Sequence, residues 1–446
     1  MSDWRAEIPT NTGDFEQDCE RYARFWRRTA EALARLPVRP ARRAQEAEAA
    51  EELKRAAREA RKRFALAHAR TIYDRLTDGR SRFVRVQRLV YDAAALVPGL
   101  VPAREEVEKE SALPLRDKEG HEIDQGILVW AILADPVAGR HLCHAMLLPR
   151  PEALERLSEL RKTGRIDLGP AQVRREGKAS VVTLKNPRYL NAEDNTTIDH
   201  TEIAVDLAIL DPATEIAVLR GDVVQTGKYQ DRRVLGSGIN LTHLYRGRIP
   251  YIWYLQRELG FVHKFFRGLA RPEVAPDDVT GETIDKPWMA VVEGFAIGGH
   301  CQYLLTMDYV LAADDAYMTL PARKEGIIPG AANLRLARFT GDRIAREAIL
   351  YQRRIDCASP QGRLVCDEVV PQSEIDAAIA RVVDNFTHSG MVSAAANRRA
   401  FRVAQEPLDL FRNYCAVYAL EQAYCHFSPA LIDNLERYWD AQNRKP

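Results

Sequence analysis

A change of texture near Gly169-Pro170 constrains this chain more than any other feature. From about Asp14 to Arg88 the sequence is dominated by Ala, Arg, Glu and Leu, and includes the run Ala41-Arg-Arg-Ala-Gln-Glu-Ala-Glu-Ala-Ala-Glu-Glu-Leu-Lys-Arg-Ala. These are strong helix formers with opposite charges at i,i+4 spacing, which predicts long helices with solvated faces. Because the two signs alternate, the run reads as a solvated helix face rather than a nucleic-acid-binding arm. A further helix is expected over Pro151–Thr163, opening on a proline that suits a first helical turn. Beyond residue 170 the pattern differs. Ala179–Leu184, Ile216–Arg220, Trp288–Val292 and Tyr309–Ala313 are short, apolar and rich in β-branched residues, and predict strands. Ile203–Leu210, Asn333–Phe339 and Arg343–Tyr351 carry helical periodicity between and after them. Strands alternating with helices indicate an α/β layer fold.

At 446 residues the chain is long for one core, so two domains are the natural expectation. The sequence places a helical N-terminal domain at 1–170, an α/β core at 171–375 and a helical C-terminal segment at 376–446. A formal net charge of +1 argues against a dedicated nucleic-acid binder. The seven cysteines form no CxxC pair, which fits reduced thiols rather than a disulfide framework. Met1-Ser2-Asp3-Trp4-Arg5 lacks the features of a signal peptide. The longest strongly apolar stretch, Ile127–Ala134, falls well short of the roughly 20 residues that cross a bilayer. A cytoplasmic protein without a membrane partner is expected.

Four segments carry the chemistry. They are Leu184-Lys-Asn-Pro-Arg-Tyr-Leu-Asn-Ala-Glu-Asp, Val234-Leu-Gly-Ser-Gly-Ile-Asn-Leu, Lys286-Pro-Trp-Met-Ala-Val-Val-Glu-Gly-Phe-Ala-Ile-Gly-Gly-His-Cys-Gln-Tyr and Leu320-Pro-Ala-Arg-Lys-Glu-Gly-Ile-Ile-Pro-Gly. The first reads as a strand end turning through Pro187 into a helix. In the second and third, glycines stand at turns where backbone can approach a ligand closely. The third opens a helix after a strand, so free N–H groups point outward there. Two backbone donors from separate loops suit an enolate oxygen, and each such donor contributes about 2.7–4 kcal/mol to a transition state. The plainer alternative is that these glycines only permit strand-to-helix packing.

In this order the segments resemble the crotonase (enoyl-CoA hydratase/isomerase) superfamily over roughly residues 175–370. That resemblance implies a ClpP-like ββα spiral core and an oxyanion hole made by the amides of Ile239 and Gly299. It also implies a coenzyme A site formed by Arg188, Tyr189 and Leu190 with Gly236, Ser237, Gly238, Asn240 and Leu241. Arg188 would meet a phosphate, or else is an ordinary surface arginine. Homo-oligomers, trimers or hexamers, are implied as well, with the helical extension or a C-terminal helix (Leu410–Phe427) between subunits and the 376–446 segment closing the pocket.

The departures from the superfamily pattern matter most. Its hydratases use two glutamates to handle water, and this chain aligns Gln302 and Ala322 at those positions. Neither side chain exchanges a proton, so hydration is not expected. Glu325 is a displaced acid or a solvated structural residue. An intact enolate hole without the acid–base pair calls for a substrate whose α-proton is already acidic, such as an arylacetyl thioester. Together with the helical extension, Gly-Ser-Gly-Ile-Asn-Leu and Gly-Gly-His-Cys-Gln resemble the superfamily branch of cofactor-independent 3,5-dihydroxyphenylacetyl-CoA dioxygenases from glycopeptide-antibiotic biosynthesis. On that resemblance Glu193, Arg257 and Gln302 hold the ring hydroxyls. His300 packs beside the hole or touches substrate. Ile327, Ile328, Pro329 and Gly330 wall a dry pocket. Arg257 has an alternative as an exposed helix arginine paired with Glu258. O₂ is the co-substrate, CoA is part of the substrate, and neither a metal nor an organic cofactor is implied. His121-Glu122 and His141/His144 lie away from the glycine loops, and no dinucleotide glycine fingerprint is present. The competing readings are a crotonase-type thioesterase, decarboxylase or hydratase/isomerase on an aryl-acyl-CoA, and a catalytically silent CoA- or RNA-binding homologue.

Overall fold

A computed structural model describes residues 4–390 and 392–444 of the protein; Met1, Ser2 and Asp3 of the N-terminal stretch lie outside the described residues. By contacts the chain forms two compact units that do not follow a single cut in the sequence. The first comprises Met1–Met146, Leu244–Gln256 and Asp409–Asp433; the second comprises Leu147–His243, Arg257–Leu408 and Asn434–Pro446. The boundary drawn from composition near residue 170 thus falls inside the second unit. Composition follows helix content, and the helix Pro151–Thr163 packs on Ile198–Leu210 of the α/β unit. The 376–446 segment is shared between the units in the same way.

In the first unit the charged run lies in the helix Ala44–Leu76, whose inward stripe is Ala50, Leu53, Ala57, Ala60, Phe64 and His68. That three-to-four spacing lets the stripe pack on the helix Phe15–Ala34 and leaves most of the charges outside, Lys54 being buried. Phe64 meets the rings of Tyr22 and Trp26 at 5.2 and 5.5 Å, and His68 Nε2 lies 2.9 Å from the buried Asp18 carboxylate. The apolar stretch Ile127–Ala134 belongs to the helix Ile123–Ala134, buried on nearly every side. Among the described residues no single helix is long and apolar enough to cross a membrane.

The second unit holds twelve strands among the described residues. In chain order they are β1 (Arg165–Asp167), β2 (Ala171–Glu176), β3 (Ala179–Leu184), β4 (Ile216–Gly221), β5 (Leu269–Ala270) and β6 (Thr283–Ile284). Then come β7 (Trp288–Val292), β8 (Phe295–Ile297), β9 (Tyr309–Ala313), β10 (Tyr317–Thr319), β11 (Ile355–Asp356) and β12 (Glu368–Val370). The main sheet runs β1-β2-β3-β4-β7-β9-β12. It is antiparallel from β1 to β3 and parallel from β3 to β12. Its central strands are buried along their length, as parallel strands covered on both faces must be. A second sheet, β11-β10-β8, has β8 and β10 parallel. The strands expected at Ala179–Leu184, Trp288–Val292 and Tyr309–Ala313 have those bounds. The two helices expected around residues 333–351 form one element, Ala332–Leu350, broken at Gly341, whose φ of 75° and ψ of 160° are not helical.

Candidate active site

The first chemical segment leaves β3 through Asn186 but does not turn into a helix at Pro187. A single 3₁₀ turn, Pro187–Tyr189, is followed by Leu190 and Asn191 at φ of 55° and 56°, and the helix starts only at Ile198. The buried Asn191 side chain fixes this bend: Oδ1 accepts from Asn186 N–H (3.0 Å), and Nδ2 donates to the carbonyls of Asp222 and Val234 (both 2.9 Å).

The second segment lies between the first and third. Glu193 donates its N–H to Gly238 O (2.8 Å) and accepts from Asn240 N–H (2.7 Å). On the other side Gly236 accepts from Ile297 N–H (3.0 Å). In such a parallel pairing the residues flanking Ile239 make the bonds to Glu193, so the N–H of Ile239 itself faces the opposite way. A methyl group on Gly238 would stand 3.4 Å from the amide nitrogen of Gly299, first residue of the helix Gly299–Leu304. That helix's leading N–H groups have no partner within the helix. The two glycine turns are thus neighbours, one presenting the amide of the bridge residue Ile239 and the other a helix-initial amide. Asp194 anchors the far end of the second segment, with its carboxylate 2.9 Å from Asn240 Nδ2 and 3.2 Å from His243 Nδ1. Burial pushes the Asp194 carboxyl up, but hydrogen bonds from His243, Thr196 and Asn240 outweigh it and hold it at about 2.

Beside Gly299 lies a buried polar knot. Arg257, near the end of the helix Ile252–Leu259, is 3% exposed. It donates to Glu193 Oε1, Gln302 Oε1 and Gly299 O, each at 2.8 Å, and pairs with Glu258. Tyr303 donates its hydroxyl to Glu193 and lies under the guanidinium, 5.0 Å from ring centre to Arg257 Cζ. Burial alone would neutralise these groups. The Arg257 charge, His300 and the hydrogen bonds from Arg257 and Tyr303 instead hold the Glu193 carboxyl below the usual range, and Glu193, Tyr303 and Glu258 hold Arg257 well above its usual value. The exposed-arginine alternative for Arg257 is corrected on one point: the Glu258 pair exists, but it is buried. His300 accepts from Gly238 N–H at Nδ1 (3.1 Å), so the proton of the neutral ring sits on Nε2. Burial and the nearby Arg257, against the pull of Glu193, push it down to about 4.

Glu193, Arg257, Gln302, His300 and Gly299 are therefore brought together. Gly330 joins them, because a Cβ there would overlap Glu258 Oε1 and Gln302 Oε1. Pro329 is buried and Ile327 and Ile328 are half-buried on the same turn. Arg188, Tyr189, Leu190, Ser237, Asn240 and Leu241 line a different space, a cavity of about 710 Å³ that also reaches Ile239. Arg188 is exposed at its rim. Lys324, Glu325, Tyr438, Trp439 and Arg444 are also among its lining residues, and of these only Glu325 drew notice in the sequence. Tyr303 was missed, although it sits next in sequence to Gln302, and Glu258 was named only as a surface partner of Arg257. Among the described residues no group of three or more His, Cys, Asp and Glu side chains is arranged to hold a metal ion.

The sequence profile of the enoyl-CoA hydratase/isomerase family matches residues 269–417. The (3,5-dihydroxyphenyl)acetyl-CoA 1,2-dioxygenase of Amycolatopsis orientalis is 48% identical over 365 residues, 82% of each chain. The chain belongs to the enoyl-CoA hydratase/isomerase family. The carnitinyl-CoA dehydratase of Escherichia coli K12 is more distant, 24% identical over 233 residues, 52% of this chain and 80% of that one. The crystal structure of an enoyl-CoA hydratase/isomerase from Xanthobacter autotrophicus Py2 superimposes with a TM-score of 0.50 at 20% identity, covering 62% of this chain and 96% of its own, and shares the fold. In this family member Gln302 and Ala322 are both buried. Gln302 is tied to Arg257, and Ala322 opens the short helix Ala322–Glu325.

Proposed function

We propose that this family member is a dioxygenase that converts 3,5-dihydroxyphenylacetyl-CoA and O₂ to 3,5-dihydroxyphenylglyoxylate and free CoA, using neither a metal nor an organic cofactor. The observation that carries the reading is the adjacency of the two glycine turns, with the Ile239 N–H facing away from Glu193 and the Gly299 N–H at a helix start. An oxygen shared by those amides accepts the charge of a thioester enolate. The 48% identity to a dioxygenase of this name supports the choice of substrate.

Loss of an α-proton gives the enolate, which passes an electron to O₂. The radical pair combines to a peroxide at the α-carbon, and the peroxide attacks the thioester carbonyl, expels CoA and collapses to the α-keto acid. In this reading Glu193, Arg257 and Gln302 receive the ring hydroxyls, exchanging bonds they now make to each other; a fixed guanidinium suits a phenolate. His300 positions the Gly236–Gly238 turn. Ile327, Ile328, Pro329 and Gly330 keep water from the carbanion. Arg188, Tyr189, Leu190, Gly236, Ser237, Gly238, Asn240 and Leu241 hold the CoA portion. The protein acts in the cytoplasm as a homo-oligomer, trimer or hexamer, with residues 376–446 serving assembly and pocket closure.

The test is turnover of 3,5-dihydroxyphenylacetyl-CoA under ¹⁸O₂ with chelator-treated protein. Two ¹⁸O atoms in the keto acid, with O₂ uptake equal to CoA release, are expected. CoA release without O₂ uptake would instead establish a thioesterase, and tight binding without turnover a silent homologue.

A further inference from the structure

The reaction needs a group to take the α-proton, and the polar knot is poorly suited to it. Glu193 and Glu258 are bound to Arg257, and Glu193 is held in its ionised form by that contact. His300 is buried and pushed down to about 4. The cavity offers something different. Among the described residues that line it, Glu325 is the only carboxylate. It ends the helix Ala322–Glu325, which Gly326 stops at φ 83°, with Ile327 N–H returning to Ala322 O at 3.0 Å. Glu325 is half-buried, and no donor or cation among the described residues pairs with its carboxyl. It shares the cavity with Ile239, whose N–H is one of the two amides proposed for the oxyanion hole.

We propose that Glu325 is the base that removes the α-proton of the bound thioester and later returns a proton to the departing CoA sulfur. The inference rests on the function proposed above. The C–H electron pair becomes the enolate and the proton goes to the Glu325 carboxylate. After O₂ has added at the α-carbon and the peroxide has attacked the carbonyl, the C–S bond breaks and the thiolate takes the proton from Glu325. The second α-hydrogen leaves to solvent as the O–O bond breaks and the ketone forms, so that CH₂ is oxidised by four electrons and both oxygen atoms end in the keto acid. Burial alone pushes the Glu325 carboxyl up to about 7, and a base is most effective when its pKa lies near the working pH.

The other charged or titratable groups facing this space are Arg188, Lys324 and Arg444 and the phenols of Tyr189, Tyr229, Tyr317 and Tyr438. The cations have no lone pair to offer, and a phenol ordinarily keeps its proton at neutral pH. Arg323, at the start of the same short helix, is exposed and donates to Leu350 O.

The decisive measurement is anaerobic exchange of the α-protons of 3,5-dihydroxyphenylacetyl-CoA in D₂O, followed by mass spectrometry. Wild-type exchange should rise with pH through about 7 and then level off. Glu325→Gln should slow exchange by roughly 10²–10⁴-fold, with thioester affinity unchanged by calorimetry, and Glu325→Asp should restore part of the rate. Exchange by Glu325→Gln at the wild-type rate, or wild-type exchange independent of pH across this range, overturns the assignment. If the wild-type protein exchanges and consumes O₂ while the glutamine variant matches it, only the role of Glu325 falls. If the wild-type protein does neither, the proposed function falls with it.

Discussion

The polar knot around Arg257 and the cavity that holds Glu325 treat charge in opposite ways. In the knot, two carboxylates, a guanidinium, a carboxamide and a phenol bind one another, leaving Glu193 Oε2 buried without a hydrogen bond, and mutual attraction offsets the cost of removing them from water. The proton states there are fixed. In the cavity a single half-buried carboxyl stands without a partner among the described residues, and burial brings its proton exchange near neutrality. One arrangement suits holding a polar ring in one orientation; the other suits moving a proton.

That contrast breaks most easily at Arg257. Arg257→Ala leaves Glu193 and Glu258 buried without their cation and should cost about 3–5 kcal/mol of stability as well as activity. Urea unfolding checks it, and an unchanged midpoint would mean that the knot is not structural. Glu325→Gln, by comparison, should leave the midpoint where it is.

A smaller effect is expected at Gly299, where a Cβ would overlap Glu193 Oε2 and stand 2.8 Å from Arg257 Nη2. Gly299→Ala should lower anaerobic deuterium exchange by about 2.7–4 kcal/mol in barrier terms, the worth of one oxyanion donor. Exchange at the wild-type rate would detach the glycine turn from the chemistry.

The pH dependence of stability sharpens the picture further. The folded pKa of His300 is depressed to about 4, so the unfolded chain takes up the proton first as pH falls. Its contribution is intact above about 6.5 and is lost as pH falls through about 4, on the order of 3 kcal/mol in all. Unfolding midpoints of wild type and His300→Gln compared between pH 7 and pH 4 should converge by that amount. Parallel curves would show that the ring is not held neutral.

The order of the four segments identified the superfamily before any coordinates, because close packing leaves glycines at fixed places, as at Gly236 against His300, Gly238 against Ile297 O and Gly299 against Glu193. Strand bounds were legible for a local reason too: β-branched runs such as Ala179–Leu184 have few alternatives. The bend after Asn186 was not, since two residues with positive φ are held there by Asn191 contacts to Asp222 and Val234, distant in sequence. The assignment of Pro151–Thr163 to the α/β unit depends on what the helix packs against, which its composition does not record.

The sequence by itself determined the fold class and the glycine turns, which follow from residue type and spacing. Only the tertiary structure decided that Arg257 is buried against two carboxylates while Glu325 faces a cavity without a partner among the described residues. Protonation depends on distance to other charges and to water, and folding sets both by bringing together residues as far apart as Glu193, Arg257 and Gln302.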